Sequence, residues 1–149
     1  MATAAARLLE AALPHVTFDG WSEATFRAAA ADTGLSPELA RAACPRGALD
    51  LAVAFHRRGD RAMEAALAAT DLSALRFRDR IARAVRLRLE GADREVVRRG
   101  AALFALPQNA ATGAALIWGT ADAIWRTLGD SSDDINWYTK RATLSAVYS

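Results

Sequence analysis

The chain has 149 residues, of which 52% are hydrophobic and 24% charged, and its formal net charge is only +2. This composition excludes a disordered chain and supports one packed core or two small bundles, while so small a charge argues neither for nor against nucleic acid. A single cysteine excludes an intrachain disulfide, and no stretch approaches the ~20 apolar residues of a membrane span. Abundant Ala and Arg and only four prolines predict an all-α fold.

Three short helices are predicted in the first third of the chain. Apolar spacing places the first helix from Thr3 to Leu13, ending before Pro14, with a turn at 18–20. The second helix is predicted to start at the cap Ser22, with Trp21 and Phe26 at the positions of a hydrophobic staple, and to end at Gly34. The third is predicted to start at the cap Ser36, with Pro37 as its first residue. Together they form a helix-turn-helix outline.

The middle of the chain predicts a long helix after Pro45 and Gly47, a new helix start at Asp71–Ser73, and a short helix capped by Asp93. The helix predicted to start at Asp71–Ser73 is amphipathic. Its apolar face carries Phe77, Ile81, Ala84 and Val85, and its opposite face carries Arg76, Arg80, Arg83 and Arg86. Nine arginines against four acids between 76 and 99 indicate either a surface for an anionic partner or membrane, or a solvated helix face.

Two hydrophobic helices are predicted last, over 110–128 and from about Ile135 onwards. Their aromatic residues and a neighbouring arginine indicate either an exposed interface or a buried core; these residues are Trp118, Trp125, Trp137, Tyr138 and Arg141. The sequence stops at Ser149 within a helical pattern, so we expect a further C-terminal portion.

No catalytic, metal or cofactor site is predicted. His15 and His56 lie far apart in the sequence, with His56 expected to pair with Asp60, and Cys44 is expected to be a small core residue. The candidate DNA-recognition helix, Ser36–Cys44, offers Arg41 as its lone cation, so we expect no nucleic-acid binding.

Several spaced motifs in the last third carry a family resemblance. The pattern L-P-x-N, D-x-x-W and G-D-x-S-x-D-x-N-W-Y-T-[KR]-R is met between Leu106 and Arg141, and Arg86–Arg88 supplies an upstream R-L-R. This segment, to Tyr148, resembles the ninth coenzyme Q biosynthesis protein family. The likeness is good over roughly the last 65 residues, and before Ala74 only the helical outline agrees.

The resemblance implies a TetR-like helical bundle, with a degenerate helix-turn-helix head at 1–46 and a lipid-binding and dimerisation domain at 47–149. It further implies a non-enzymatic accessory protein of ubiquinone biosynthesis, which presents hydrophobic quinone precursors to the di-iron demethoxyubiquinone hydroxylase. The partner-binding residues implied by the family are Ile124, Trp137, Tyr138 and Arg141. Candidates for lining a cavity for phospholipid or isoprenoid quinone are Phe77, Ile81, Val85, Leu103, Leu106, Leu116 and Ile117.

The family also implies a homodimer and peripheral membrane contact through a C-terminal amphipathic helix, which this sequence lacks. From the single cysteine and the lack of a membrane span or secretion signal, we expect a cytoplasmic protein that is peripheral to the inner (cytoplasmic) membrane. The alternative is a TetR-type transcriptional regulator that binds DNA and a small apolar ligand.

Overall fold

A computed structural model describes residues 2–91 and 93–129. Across these residues the chain forms seven α-helices and no strand, which confirms the predicted all-α class. The helices are α1 (Ala4–Asp19), α2 (Glu23–Thr33), α3 (Pro37–Ala43), α4 (Ala48–Ala68), α5 (Phe77–Glu90), α6 (Arg94–Phe104) and α7 (Ala110–Thr127), with a 3-10 turn at Pro107–Asn109. The TetR-like arrangement stays a prediction.

The first helix is longer than predicted, because α1 continues through Pro14 to Asp19. Pro14 is exposed, so solvent can satisfy the carbonyl to which a proline cannot donate. One turn beyond the expected end, Val16 is fully buried, and its packing favours continuation. The chain turns only at Gly20, whose φ of 68° suits a residue without a Cβ.

The predicted caps of α2 and α3 are confirmed. The Ser22 hydroxyl accepts a hydrogen bond from the Thr25 amide at 3.3 Å, and the Ser36 hydroxyl accepts one from the Leu39 amide at 3.2 Å. Gly34 ends α2 in the left-handed conformation with φ 74°. The sequence signals therefore placed both helix starts correctly.

The predicted helix start at Asp71–Ser73 is wrong, because α5 begins at Phe77. The Asp71 carboxylate accepts hydrogen bonds from the amide of Ser73 at 3.0 Å and from its hydroxyl at 2.7 Å. These bonds close a local turn that competes with a helix at the same residues. By contrast, Asp93 caps α6 as predicted and accepts from the amides of Glu95 and Val96.

Residue contacts divide the chain into two compact units. The first comprises the described residues of 1–56 and 93–110, and the second those of 57–92 and 111–149. Residues of α4 contribute to each unit. The predicted head at 1–46 and domain at 47–149 are consecutive stretches of the chain, whereas these units are defined by residue contacts. The predicted domain boundary therefore stays a prediction.

The core of the first unit is built from apolar side chains of α1 to α4, of the turns between them and of α6, and most of these side chains are small or medium in size. Its buried members are Leu8, Leu9, Ala12, Val16, Trp21, Phe26, Ala29, Ala30, Ala40, Cys44, Ala48, Leu51, Ala52 and Val96. The Trp21 indole donates to the Val96 carbonyl at 3.4 Å and lies 5.8 Å from the Phe55 ring. The many alanines let the helices approach closely.

The core of the second unit lies among α4, α5 and α7. Its buried members are Met63, Leu67, Ala84, Ala121, Ala123, Ile124 and Trp125. Ile81 and Val85 of α5 are partly buried against this core. The predicted apolar face of α5 is thus the face that packs.

Candidate functional site

An ion pair with both partners largely buried lies inside the second unit. The Arg88 Nε donates to the Asp60 Oδ1 at 2.8 Å, and these side chains are only 7% and 13% exposed. The Thr120 hydroxyl lies 2.7 Å from the same Oδ1 and 3.2 Å from the Leu116 carbonyl, so it can donate to either. One carboxylate oxygen therefore joins side chains from α4, α5 and α7.

The backbone of α4 leaves room for this arginine at Gly59. A Cβ on Gly59 would lie 2.6 Å from the Arg88 Cζ, well inside contact distance. The guanidinium thus packs against the bare α-carbon one residue before its partner Asp60. Arg88 is the second arginine of the R-L-R motif, so in this chain the motif supplies the cation of the buried ion pair.

A pocket of about 230 Å³ opens beside this ion pair, between the second half of α4 and α7. Its lining residues are Arg57, Asp60, Arg61, Glu64, Ala115, Leu116, Gly119, Ala123 and Arg126. The α4 side is charged, whereas the α7 side is mostly small and apolar. Arg126 on α7 pairs with Asp122 at 2.8 Å and lies 4.0 Å from Glu64.

The D-x-x-W motif combines Asp122, which pairs with Arg126 at the surface, with the core aromatic residue Trp125. Trp125 is 7% exposed, and its ring centroid lies 5.1 Å from that of Phe77 with a tilt of 36°. The tilted contact joins the start of α5 to the end of α7. Trp125 therefore acts in the packing of the second unit, as the core interpretation expected.

The L-P-x-N motif forms the connection from α6 to α7. Asn109 is buried, and its side-chain amide donates to the Leu103 carbonyl at 3.1 Å. Its backbone amide donates to the Leu106 carbonyl at 2.9 Å. Because one bond satisfies a carbonyl in the last turn of α6 and the other closes the turn itself, Asn109 fixes the short turn that begins at Pro107.

The seven predicted lipid-lining residues are distributed over both units. Leu103 and Leu106 belong to the first unit, and the other five belong to the second. Leu106 and Phe77 are each 42% exposed, and Leu116 is 6% exposed and borders the α4–α7 pocket. Ile81, Val85 and Ile117 are partly buried. Their role in holding a lipid stays a prediction.

Of the predicted partner-binding residues, only Ile124 lies within the described part of the chain. Its side chain is completely buried in the core of the second unit, so a partner would reach it only if that core opened. Trp137, Tyr138 and Arg141 lie outside the described residues, as does the predicted helix from Ile135. The partner-binding assignment therefore stays a prediction.

The remaining candidate reactive side chains have structural surroundings. Cys44 is buried, and its pKa is raised mainly by burial and further by Asp50, against an opposing effect of Arg41. His15 pairs with Asp32 at 2.8 Å on the surface. Residues 2–91 and 93–129 contain no group of three His, Cys, Asp or Glu side chains placed to hold a metal. Among the helices described, none combines the length and hydropathy of a membrane span.

Comparison with known proteins agrees with the motifs. The COQ9 family profile matches residues 110–149. The rat (Rattus norvegicus) "Ubiquinone biosynthesis protein COQ9, mitochondrial" is 40% identical over 50 residues, which is 34% of this chain and 16% of the rat protein. The Drosophila melanogaster protein of the same name is 30% identical over 148 residues, or 95% of this chain.

A third relative, the "Probable ubiquinone biosynthesis protein coq9, mitochondrial" of Dictyostelium discoideum, is 27% identical over 95% of this chain. The aligned region covers 45% of the Drosophila protein and 49% of the Dictyostelium protein, so this chain spans less than half the length of either. The similarity therefore extends through both units and beyond the terminal motif. The chain belongs to the COQ9 family.

Proposed function

We propose that this chain serves ubiquinone biosynthesis as a non-enzymatic accessory protein that binds lipid. The observation that carries this proposal is the similarity to a ubiquinone biosynthesis protein over 95% of the chain, at 30% identity. In the proposal, the protein presents hydrophobic quinone precursors to the di-iron demethoxyubiquinone hydroxylase. The oxidation chemistry, and the metal it needs, then belong to that partner. The regulator alternative receives no support from the matches.

A physical reason for such a protein lies in the substrate. An isoprenoid tail costs ~0.8 kcal/mol for each CH₂ group exposed to water, so its transfer from a bilayer needs an apolar surface. Phe77 is a candidate to begin that surface, since it is 42% exposed while its ring contacts the buried Trp125. Ile81 and Val85 follow on the same face of α5 and are partly buried. Opening of this face would provide an apolar cavity between helices.

Lipid extraction and mass spectrometry of the purified protein test the lipid-binding part. We expect phospholipid or isoprenoid quinone at a fixed ratio to protein, reduced when Phe77 is replaced by Asp. An extract without lipid would contradict lipid binding. Quinone analysis of cells that lack the protein tests the pathway itself, and unchanged ubiquinone in those cells would contradict the proposed role.

The partner surface is tested separately through Tyr138. In the proposal, Tyr138→Ala weakens hydroxylase association while the helical circular dichroism and the lipid content stay unchanged. Tyr148→Ala is a matched aromatic deletion outside the motif and is expected to leave association intact. Equal association of the hydroxylase with both variants and the parent chain would remove Tyr138 from the partner surface.

We also propose the homodimer and the peripheral position at the inner (cytoplasmic) membrane that the resemblance implies. The eukaryotic relatives carry "mitochondrial" in their names. Sedimentation equilibrium and fractionation of cell membranes test the two parts. A monomer at all concentrations, or a protein absent from membranes sedimented at low salt without a wash, would contradict the respective part.

A further inference from the structure

We propose that the α4–α7 pocket binds an oxyanion of the phosphate class. This goes beyond the proposed function and does not rest on it, because α4 lines the pocket with charged side chains, although Leu116 is also one of the predicted lipid-lining residues. The pocket lies within one compact unit and has an open volume of about 230 Å³. At roughly 30 Å³ per water molecule, that volume accommodates a tetrahedral oxyanion with a short organic substituent.

Two arginines on the pocket wall make no direct hydrogen bond or ion pair with a described residue. Arg57 and Arg61 lie one turn apart on α4, and both are exposed. Throughout residues 2–91 and 93–129, neither has a hydrogen-bond or ion-pair partner. Guanidinium groups one helical turn apart can bind one phosphate together, because each offers planar, charge-assisted donors.

The pocket also contains two carboxylates, and each lies near a cation other than Arg57 and Arg61. Asp60 pairs with the buried Arg88 at 2.8 Å. Glu64 lies 4.0 Å from Arg126, which also pairs with Asp122. Arg88 and Arg126 together face one carboxylate more than they can neutralise, since Asp60, Glu64 and Asp122 all lie near them. The two further charges of Arg57 and Arg61 therefore still leave the pocket with net positive charge.

The opposite wall is suited to the substituent that a phosphate ester would carry. Ala115, Leu116, Gly119 and Ala123 present small apolar groups along α7. A Cβ placed on Gly119 would meet no heavy atom within 4 Å, so the wall is open at that point. A polar group held by arginines beside an apolar wall is the composition expected for phosphate esters, whether free or on a lipid headgroup.

Titration of the full chain with inorganic phosphate tests the site directly, followed by the arginine Nε–H resonances in NMR spectra. We expect saturable shifts, and at least about tenfold weaker binding when Arg57→Gln and Arg61→Gln are combined. The matched control combines Arg78→Gln with Arg86→Gln, two exposed arginines of α5 that also lack a partner among the described residues. Its phosphate affinity should stay within about twofold of the parent chain.

A second variant keeps both arginines in place. Gly119→Glu adds a carboxylate where space is free and should abolish phosphate binding while helical circular dichroism is retained. Parent-like binding by this variant would overturn the proposed position of the site. Absence of saturable binding to the parent chain, or equal loss in the α5 control, would overturn the proposal as a whole.

Vesicle sedimentation then separates the two sources of the phosphate group. The probes are phosphatidylcholine vesicles with and without phosphatidic acid. Retention on the acidic vesicles that needs Arg57 and Arg61 supports a lipid headgroup, whereas binding of inorganic phosphate without vesicle retention supports a soluble phosphate ester. Vesicle retention without binding of inorganic phosphate would indicate adsorption by surface charge and would overturn the pocket.

Discussion

The strongest prediction concerns the buried carboxylate of Asp60. Asp60→Asn keeps the shape of the side chain but removes the charge that compensates Arg88. With Arg88 only 7% exposed, the uncompensated guanidinium has little solvent around it. Breaking a buried ion pair costs about 3–5 kcal/mol, and we expect about 3 kcal/mol because Asp60 borders an open pocket that water can enter.

Urea unfolding followed by circular dichroism measures this cost. At about 2 kcal/mol per molar urea for a chain of this size, the midpoint should fall by about 1.5 M. Glu64→Gln is the control, because Glu64 is 37% exposed and lies 4.0 Å from Arg126, which is 62% exposed. That variant should lose no more than about 0.5 kcal/mol. If Asp60→Asn shifted the midpoint no further than the control, the ion pair would not stabilise the unit as argued.

Three further predictions concern other positions. Gly119→Ala should raise the free energy of unfolding by about 0.5–1 kcal/mol in the same assay, because the added Cβ meets nothing and alanine favours the helix; a loss would show an unrecognised contact. The Glu95 pKa is lowered by its hydrogen bond from Arg98, so the contact stabilises the folded state above the unfolded pKa and is lost as pH falls through the folded pKa. Glu95→Gln should therefore be less stable than the parent chain at neutral pH and indistinguishable from it at strongly acidic pH; a constant difference would contradict this. Since burial raises the pKa of the Cys44 thiol, it should react slowly with a disulfide reagent in the folded protein and rapidly in urea, and fast native labelling would refute its burial.

Local chemical signals predicted the helix boundaries best. Ser22, Ser36 and Asp93 cap helices as expected, because a side-chain oxygen that accepts from an amide two or three residues later needs no information from distant residues. Asp71 shows the limit of such signals. The same kind of hydrogen bond, to Ser73, closes a turn there, and the difference depends on packing that the local sequence does not contain.

The prediction for α1 failed for a related reason. Pro14 normally ends a helix, but the burial of Val16 favours continuation, and the cost of the missing amide is small on an exposed face. Whether a proline faces solvent depends on how α1 packs against its neighbours. That arrangement is decided by long-range contacts, which composition and spacing do not give.

The buried ion pair was missed, although the sequence carried a sign of it. Arg88 lies eleven residues after Phe77, which places it on the same side of α5 as the apolar residues Ile81 and Ala84. A charged residue in an apolar face implies a partner, but the only partner considered for Asp60 was His56 on the same helix, and that pairing stays a prediction. The partner itself is not predictable from spacing, because it lies on another helix, 28 positions earlier.

The single oxygen shared by Arg88 and Thr120 has a consequence for the uniqueness of the fold. Apolar side chains such as Met63 and Ile124 tolerate sliding, since dispersion and burial have little directional preference. A hydrogen bond is directional and does not tolerate such sliding. Moving one helix along its axis by one residue, about 1.5 Å, would break the hydrogen bonds to the Asp60 carboxylate. This atom therefore discriminates between the native axial alignment of α4, α5 and α7 and shifted alignments that would bury nearly as much apolar surface.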